Sequence, residues 1–441
     1  MSAYLGFMMF PALMVLILLG FPIALSMILV AVGFGLATFG DGVVYQIISK
    51  IDDVTSNSVL AAVPLFILMG SLLERAGIAE RLFEAVHVWT RRLPGGLGVG
   101  AIAIGAIFAA ASGVVGATET VIGLLVVPIM LKHRYDKALI SGTVCASGSL
   151  GTVIPPSITV IVLGPVANIP VGSLFAGLLL PGLIMALLFA AYVIGICMWK
   201  KELAPTIDED LPPMDLVTKI CTSAAALLPP LILIFLVLGT ILMGIATPTE
   251  AAACGVVGTI VMTILYRRFS ATVVWRALRQ TAAITAMILL IVLGGNMFAG
   301  VFFSTGGLNG IRTLLTDLGI TGWGAIATIL AVAFLAGFVL DLISVVLIMI
   351  PISMPIVTGY GFDPIWFCIA FLIVLQTSYL TPPMAPSIFY LRAIAPPEIR
   401  LDHMYKGVLP FIGAQIIVLV LVIAIPEIAT WLPEKLSGPR W

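Results

Sequence analysis

Charged side chains are scarce in this chain. Only 10% of its 441 residues are Asp, Glu, Lys or Arg, whereas 61% are hydrophobic. About a quarter of the residues of a soluble domain are charged, so a water-soluble surface of this size is excluded. No charge occurs before Asp41, between 138 and 199, or between 280 and 311. Because roughly 20 apolar residues cross a bilayer as a helix, these runs predict an all-α polytopic membrane protein.

Patterns for catalysis and metal binding are missing as well. The five cysteines stand alone without CxxC spacing and the three histidines are isolated, so neither a disulfide framework nor a zinc site is indicated. No Ser-His-Asp, HExxH, P-loop or GxGxxG arrangement occurs in a supporting context. Basic and acidic residues are equal at 21 each, which gives no sign of a nucleic-acid partner. The sequence therefore does not predict an enzyme.

Prolines reveal an internal duplication. Four landmarks recur at an offset of 227 residues, since Pro128, Asp136, Pro155 and Pro156 return as Pro355, Asp363, Pro382 and Pro383. We interpret 1–205 as repeat 1 and 220–433 as repeat 2, with a polar linker at 206–219. Each repeat should contain scaffold helices with an amphipathic connection between them (41–58; 267–280). A Gly-broken pair of apolar arms (93–131; 323–357) and a helix broken at the double proline (138–166; 364–391) should follow.

The predicted topology follows from arm length and charge. Each arm has only about 15 residues, fewer than the roughly 20 needed to cross, which favours re-entrant hairpins. Arg91 and Arg92 align with 318–319, and the basic segment 132–137 aligns with the basic-free segment 359–364. Since basic turns face the cytoplasm, equivalent turns should lie on opposite sides of the membrane. This pattern predicts inverted repeats, the architecture of many secondary transporters.

The breaks and three lone acids supply the candidate chemistry. Irregular backbone at membrane depth is tolerated where it is buried in protein or lines a cavity. Freed carbonyls near hydroxyls suit sodium, and helix N-termini suit a substrate carboxylate. Three long apolar stretches each contain a single acidic residue, namely Glu119, Asp341 or Glu250. A carboxylate within the membrane is energetically costly. For Glu250 we favour a capping box, whereas Glu119 and Asp341 are equally compatible with helix capping and with ion coupling.

Four motifs resemble the large membrane subunit of tripartite ATP-independent periplasmic (TRAP) transporters. They are GATETVIGLLVVPIM (116–130), GTVIPPSI (151–158), GIATPTEAAA (244–253) and LQTSYLTPPMAPSIFYLRAIAPPEI (375–399). The resemblance implies an elevator-type ion-transporter fold in a bacterial inner membrane and sodium-coupled import of a small organic anion. It also implies two protein partners, a small four-helix membrane subunit and a periplasmic substrate-binding protein.

The resemblance also implies positions for Na⁺, the expected coupling ion. One site would use Ser112, Val115, Gly151, Ile154 and Pro156, mostly through main-chain oxygens, and a second would lie between Gly337 and Thr381. The further candidates for substrate binding or coupling are Gly113, Gly116, Glu119, Ser157, Asp341, Pro382 and Pro383. The sequence departs from many relatives at the first tip, where SGVV at 112–115 replaces SGSS, and at 381–387, where TPPMAPS replaces the commoner TPPVG.

Other interpretations stay open on the residues alone. A stand-alone divalent-anion/sodium symporter of similar two-hairpin architecture would need no binding protein. A membrane assembly protein would carry no substrate at all. Within the transporter interpretation, proton coupling through Glu119 or Asp341 competes with sodium coupling.

Overall fold

The computed structural model describes residues 2–90, 93–113, 115–205 and 215–437. Arg91 and Arg92, on which part of the orientation argument depends, lie outside the described residues, as does 206–214 of the predicted linker. The regular structure of the described segments is helical, without a strand. This confirms the predicted all-α class.

The helices of repeat 1 follow the order expected from the sequence. They are α1 (Ser2–Leu18), α2 (Ile23–Phe39), α3 (Gly42–Thr55), α4 (Ala62–Arg75), α5 (Ile78–Thr90), α6 (Gly96–Ser112), α7 (Val115–Lys132), α8 (Lys137–Ser149), α9 (Ile158–Ala167) and α10 (Val171–Trp199). A short 3-10 turn, Leu150–Thr152, extends α8 toward the double proline. The α6–α7 pair is the predicted first hairpin, and α8 and α9 are the two halves of the first broken helix.

The helices of repeat 2 match them in order. They are α11 (Leu216–Ile234), α12 (Thr240–Leu242), α13 (Pro248–Leu265), α14 (Ala271–Ser304), α15 (Gly307–Asp317), α16 (Trp323–Ala336), α17 (Leu342–Gly359), α18 (Pro364–Leu380), α19 (Pro386–Ile394), α20 (Leu401–Ala424) and α21 (Glu427–Ser437). A π-helical turn, Phe235–Gly239, joins α11 to α12. The α16–α17 pair is the predicted second hairpin, and α18 and α19 are the second broken helix.

Two local features differ from the sequence prediction. The amphipathic connection expected at 267–280 is not separate, because α14 runs without a break for 34 residues. Its counterpart in repeat 1 does break, since the Asn57 side chain accepts hydrogen bonds from the amides of Val59 and Leu60 and turns the chain between α3 and α4. The hairpin arms α6, α7 and α17 have 17, 18 and 18 residues, longer than expected.

Repeated aspartates begin the broken helices. The Asp136 carboxylate accepts from the amides of Ala138 and Leu139, both at 3.0 Å, and thereby caps α8. Asp363, its counterpart 227 residues later, accepts from the Trp366 amide at 2.8 Å and caps α18. The sequence landmark therefore marks the same structural position in both repeats.

The two repeats pack reciprocally. Helix α2 packs against the later part of α14. The counterparts of these two segments in the other repeat are α13 and α4, and they also pack against each other. Likewise α7 packs against α19 and α17 against α9. Ser149 contacts its own counterpart, since the Gln376 side-chain amide donates to the Ser149 carbonyl at 3.1 Å. Such self-matching contacts are typical of a two-fold relation. The exact repeat bounds and their opposite orientations in the membrane stay predictions.

The core is formed by α8 and α18, the first halves of the broken helices. Residues 139–149 and 365–380 are buried on every face. Helices around them are more exposed, and six helical segments of the described chain are long and apolar enough to cross a membrane. These are α10, Val217–Leu242, α13, α14, α17 and α20, and the α4–α5 pair, bent by 64°, makes a seventh if it is counted as one span.

Candidate functional site

The tip of the first hairpin lies against the first double proline. Gly113 follows α6 with φ of +63°, a conformation that favours glycine. Its carbonyl accepts from the Ile158 amide at 3.5 Å, and a Cβ built on it would lie 3.1 Å from the Pro156 carbonyl oxygen. The structure therefore brings together the two segments that were predicted to share a sodium site.

The remaining members of this set surround that junction. Gly151 lies in the buried 3-10 turn, while Ile154 and Pro156 follow in the irregular segment before α9. Ser112 ends α6 and Val115 begins α7, so both flank the tip, but their side chains lie outside what is described. These positions supply backbone oxygens from two segments. Whether they bind sodium stays a prediction.

The second hairpin meets the second break in the same way. Gly337 follows α16, and a Cβ on it would overlap the Ser378 hydroxyl of α18. Thr381 follows α18, with its hydroxyl donating to the Thr377 carbonyl at 2.6 Å. The peptide bonds Pro155-Pro156 and Pro382-Pro383 are both cis. Because Gly337 contacts Ser378 and Thr381 follows three residues later, Gly337 and Thr381 lie at one junction.

Hydroxyl groups at the second junction keep their oxygen lone pairs free. Thr377, Ser378 and Thr381 each donate to a backbone carbonyl of their own helix, at 2.8, 2.8 and 2.6 Å. A hydroxyl that has donated its single proton can still offer oxygen to a cation. Hard cations prefer such oxygen ligands. No cluster of three His, Cys, Asp or Glu residues suited to a metal occurs in the described parts of the chain. The second junction therefore offers hydroxyl oxygens that a cation could use.

A cavity of about 220 Å³ lies between the two tips. Gly113 and Gly116 line it from hairpin 1, and Gly337 and Asp341 line it from hairpin 2. The broken helices contribute Thr159 of α9 and two tyrosines, whereas α14 provides the opposing scaffold wall. Every predicted irregular segment thus contributes to, or borders, one cavity.

Asp341 caps its own helix. Its carboxylate accepts from the amides of Ile343 and Ser344 at 3.1 and 3.2 Å and from the Ser344 hydroxyl. Asp341 is therefore a helix cap, and its role in ion coupling stays a prediction. The capping box predicted for Glu250 is confirmed by its reciprocal bonds with Thr247. Two amides at the N-terminus of α17 are therefore already paired with a carboxylate.

The N-terminus of α9 is not satisfied by a side chain. Among the described residues its N-cap, Ser157, makes no capping bond, and the buried Ser157 hydroxyl has no hydrogen-bond partner. The next residues, Ile158 and Thr159, line the cavity. The Ile158 amide already donates to the Gly113 carbonyl, but the positive end of the helix dipole at this terminus still favours an anion.

Glu119 does not cap α7. It is the fifth residue of that helix, and its fully buried carboxylate points to repeat 2, where the Tyr379 hydroxyl donates to Oε2 at 3.4 Å. Oε1 has no partner, and no salt bridge to Glu119 occurs within the described residues. Its side chain packs directly on Gly148, where a Cβ would overlap it. The Glu119 side chain therefore links hairpin 1 to α8, through its packing on Gly148, and to α18, through its hydrogen bond with Tyr379.

Sequence reasoning missed several lining residues. Tyr379 and Tyr390 face the cavity, and the Tyr390 ring lies where a Cβ on Gly116 would be, 2.6 Å from its Cζ. Ile284 and Ile288 form the α14 wall. Their spacing of four residues marks a helix face, but nothing in one sequence shows which helix lies opposite.

The paired hairpins and broken helices around one cavity define an all-α, elevator-like transporter fold. A similar fold occurs in the YdaH transporter of Alcanivorax borkumensis, with a TM-score of 0.63 over 89% of this chain and 91% of that one. The two sequences are 15% identical, so this likeness establishes the fold alone.

Sequence comparison identifies the family. The family described as "Tripartite ATP-independent periplasmic transporter, DctM component" matches residues 10–428, and the chain belongs to it. It is therefore a multi-pass subunit of a transporter rather than an enzyme.

The chain matches several large permease proteins over most of their lengths. The ectoine/5-hydroxyectoine TRAP permease UehC of Ruegeria pomeroyi is 31% identical, covering 96% of this chain and 98% of its own. The C4-dicarboxylate permease DctM of Pseudomonas aeruginosa is 29% identical over 88% and 89%. The sialic acid permease SiaM of Vibrio cholerae is 28% identical over 96% and 97%.

Proposed function

We propose that this subunit imports a small organic anion by sodium symport across a bacterial inner membrane. In this proposal it assembles with a small four-helix membrane subunit and receives substrate from a periplasmic binding protein. The convergence of both hairpin tips and both broken helices on one cavity carries the proposal. The relatives named above support the tripartite arrangement, because each is a TRAP permease.

Sodium would bind at the two junctions described above. The first offers main-chain oxygens from the Gly113 tip and the Pro156 segment, and the second adds the hydroxyls of Thr377 and Thr381. An ion bound there would tie each tip to its broken helix. It would also place positive charge beside a cavity whose described lining has no basic residue.

The substrate carboxylate would bind at the start of α9. The Ser157 hydroxyl, which has no partner among the described residues, provides a donor, and the positive end of the helix dipole favours a negative charge here, whereas the start of α17 is occupied by Asp341. A carboxylate in the cavity and sodium at its edge would each strengthen the binding of the other. Such reciprocal coupling is what a symporter needs.

Replacement of sodium tests the proposal directly. With the chain, its small partner and its binding protein reconstituted in vesicles, uptake at fixed pH should fall at least about tenfold when choline replaces sodium, as expected for a coupling free energy above about 1.4 kcal/mol. Collapse of the proton gradient should leave sodium-driven uptake unchanged. Uptake that persists in choline and follows the proton gradient would contradict sodium coupling.

Proton coupling is the second candidate, because Glu119 is buried without a basic partner. An uncompensated carboxylate in such a place is costly, so its charge must be removed by a proton or balanced by a cation. The amide of Glu119→Gln has the same shape and cannot exchange a proton. Since we assign coupling to the sodium junctions, we expect Glu119→Gln to retain sodium-driven uptake.

Glu119→Ala provides the structural comparison. It removes the group that packs on Gly148 and bonds to Tyr379, and it should lower the free energy of unfolding by about 1–3 kcal/mol. Uptake and melting temperature should be measured for both variants. Loss of uptake in a normally folded Glu119→Gln protein, with loss of any pH dependence, would make Glu119 the coupling site.

A further inference from the structure

The walls of the cavity are largely apolar. Ile284, Met287 and Ile288 of α14 form one wall, and Leu340, Leu342 and Ile343 of hairpin 2 lie on the other side. Its lining includes no Lys, Arg, His, Asn or Gln among the described residues. Ligand sites use a few placed polar groups to orient a substrate, and apolar walls to bury its body.

Most polar groups of the lining are already engaged. The Asp341 carboxylate already accepts three hydrogen bonds from Ile343 and Ser344. The Tyr379 hydroxyl donates its proton to Glu119. Thr159 and Tyr390 are the hydroxyl side chains that remain in the described lining. A body rich in hydroxyl groups would therefore leave most of its hydrogen bonds unmade, which is costly in a desolvated site.

The charges around the cavity favour a substrate with one carboxylate over a substrate with two. One anion can bind at the α9 terminus, where Thr159 lines the cavity and the Ser157 hydroxyl has no partner among the described residues. A second carboxylate, extending across the cavity, would meet Asp341 and the aliphatic wall. Like charges without a cation between them repel, and desolvation adds to this cost.

We propose that the substrate class is a monocarboxylate with an apolar body, rather than a dicarboxylate or a polyhydroxylated acid. The carboxylate binds at Ser157 and the start of α9, and the hydrocarbon body packs between α14 and hairpin 2. This assignment rests on the proposed import function, because it concerns the same cavity. It separates this chain from relatives named for C4-dicarboxylates and sialic acid.

A homologous series of acids tests the inference. Acetate, butanoate and hexanoate should be titrated calorimetrically into the purified membrane subunits in sodium buffer, with succinate and gluconate as comparison ligands. Each buried methylene should increase affinity about three- to fourfold. Hexanoate should therefore bind at least about tenfold more tightly than acetate, succinate or gluconate.

A pair of variants on one helix controls for partition into detergent. Met287 lines the cavity and is 55% exposed, so Met287→Gln should fold while making the wall polar. Leu290 is 40% exposed on the same helix but does not line this cavity, which makes Leu290→Gln the matched control. Met287→Gln should weaken hexanoate binding about three- to tenfold, and Leu290→Gln should not.

Each contrary result has a distinct meaning. Tighter sodium-dependent binding of succinate or gluconate, or equal effects of the two variants on hexanoate, would overturn the apolar-substrate assignment while leaving sodium-coupled import intact. Failure of every acid to bind in sodium overturns the assignment. When uptake by the reconstituted system is also independent of sodium, the proposed function falls with it.

Discussion

Gly337→Val should abolish uptake while leaving the protein folded. The backbone of Gly337 is in the right-handed helical region, φ −65° and ψ −10°, which valine adopts readily. The obstacle is space, because the new Cβ would overlap the Ser378 hydroxyl. Ser378 is fully buried and donates to the Leu375 carbonyl at 2.8 Å, so it has no room to withdraw. The tip must therefore move away from α18 and its oxygen ligands.

We expect sodium-driven uptake to fall at least about 100-fold, because misplacement of a site by about 1 Å has effects of that size. Gly359→Val is the matched control in the same hairpin, since Gly359 is exposed and has nothing within 4 Å of a built Cβ. Both variants should give monodisperse protein. Normal sodium-driven uptake by Gly337→Val would show that close seating of this tip on α18 is dispensable.

Gly407→Val should prevent stable folding. Gly407 lies where α20 crosses α8, and a Cβ there would overlap the Ala138 carbonyl and approach the Gly142 amide nitrogen to 2.8 Å. The reverse contact is equally close, since a Cβ on Gly142 would overlap the Gly407 carbonyl. Backbone atoms of a fully buried helix cannot rotate away as a side chain can. We expect a loss of at least about 3 kcal/mol in the free energy of unfolding.

Melting temperature and the yield of monodisperse protein in detergent measure this effect. Gly413→Val places the same side chain on the same helix, where nothing lies within 4 Å of the built Cβ, and should behave like the unaltered protein. Equal stability of the two valine variants would contradict the close crossing of α8 and α20.

The parts of the fold with strong local signals could be predicted from sequence. Proline and aspartate landmarks located the duplication because they act on their own backbone, as the Asp136 and Asp363 caps show. Asp341 and Glu250 likewise bond within three residues of themselves. Local hydrogen bonding leaves a readable spacing in the sequence.

Features that depend on distant contacts could not be predicted. Glu119 binds Tyr379, which is 260 residues away in the sequence. The residues around Glu119 therefore favoured neither capping nor coupling. The continuity of α14 was missed because an amphipathic segment and an apolar span can form one helix when no Asx turn divides them. The α14 wall of the cavity was missed since helix periodicity gives a face but not its neighbour. The sodium ligands stay predictions.

The contact between Ser149 and Gln376 also bears on how such a chain could arise. The equivalent helices α8 and α18 contact each other, so each half of the chain covers part of the surface of the other. A single-repeat ancestor would have needed a second molecule, and the contact would then have depended on concentration. Joining the copies in one chain makes the encounter intramolecular, so that it no longer depends on concentration. Once fused, the two copies were free to diverge, and their counterparts could acquire separate tasks, as a serine and a glutamine at one shared position illustrate.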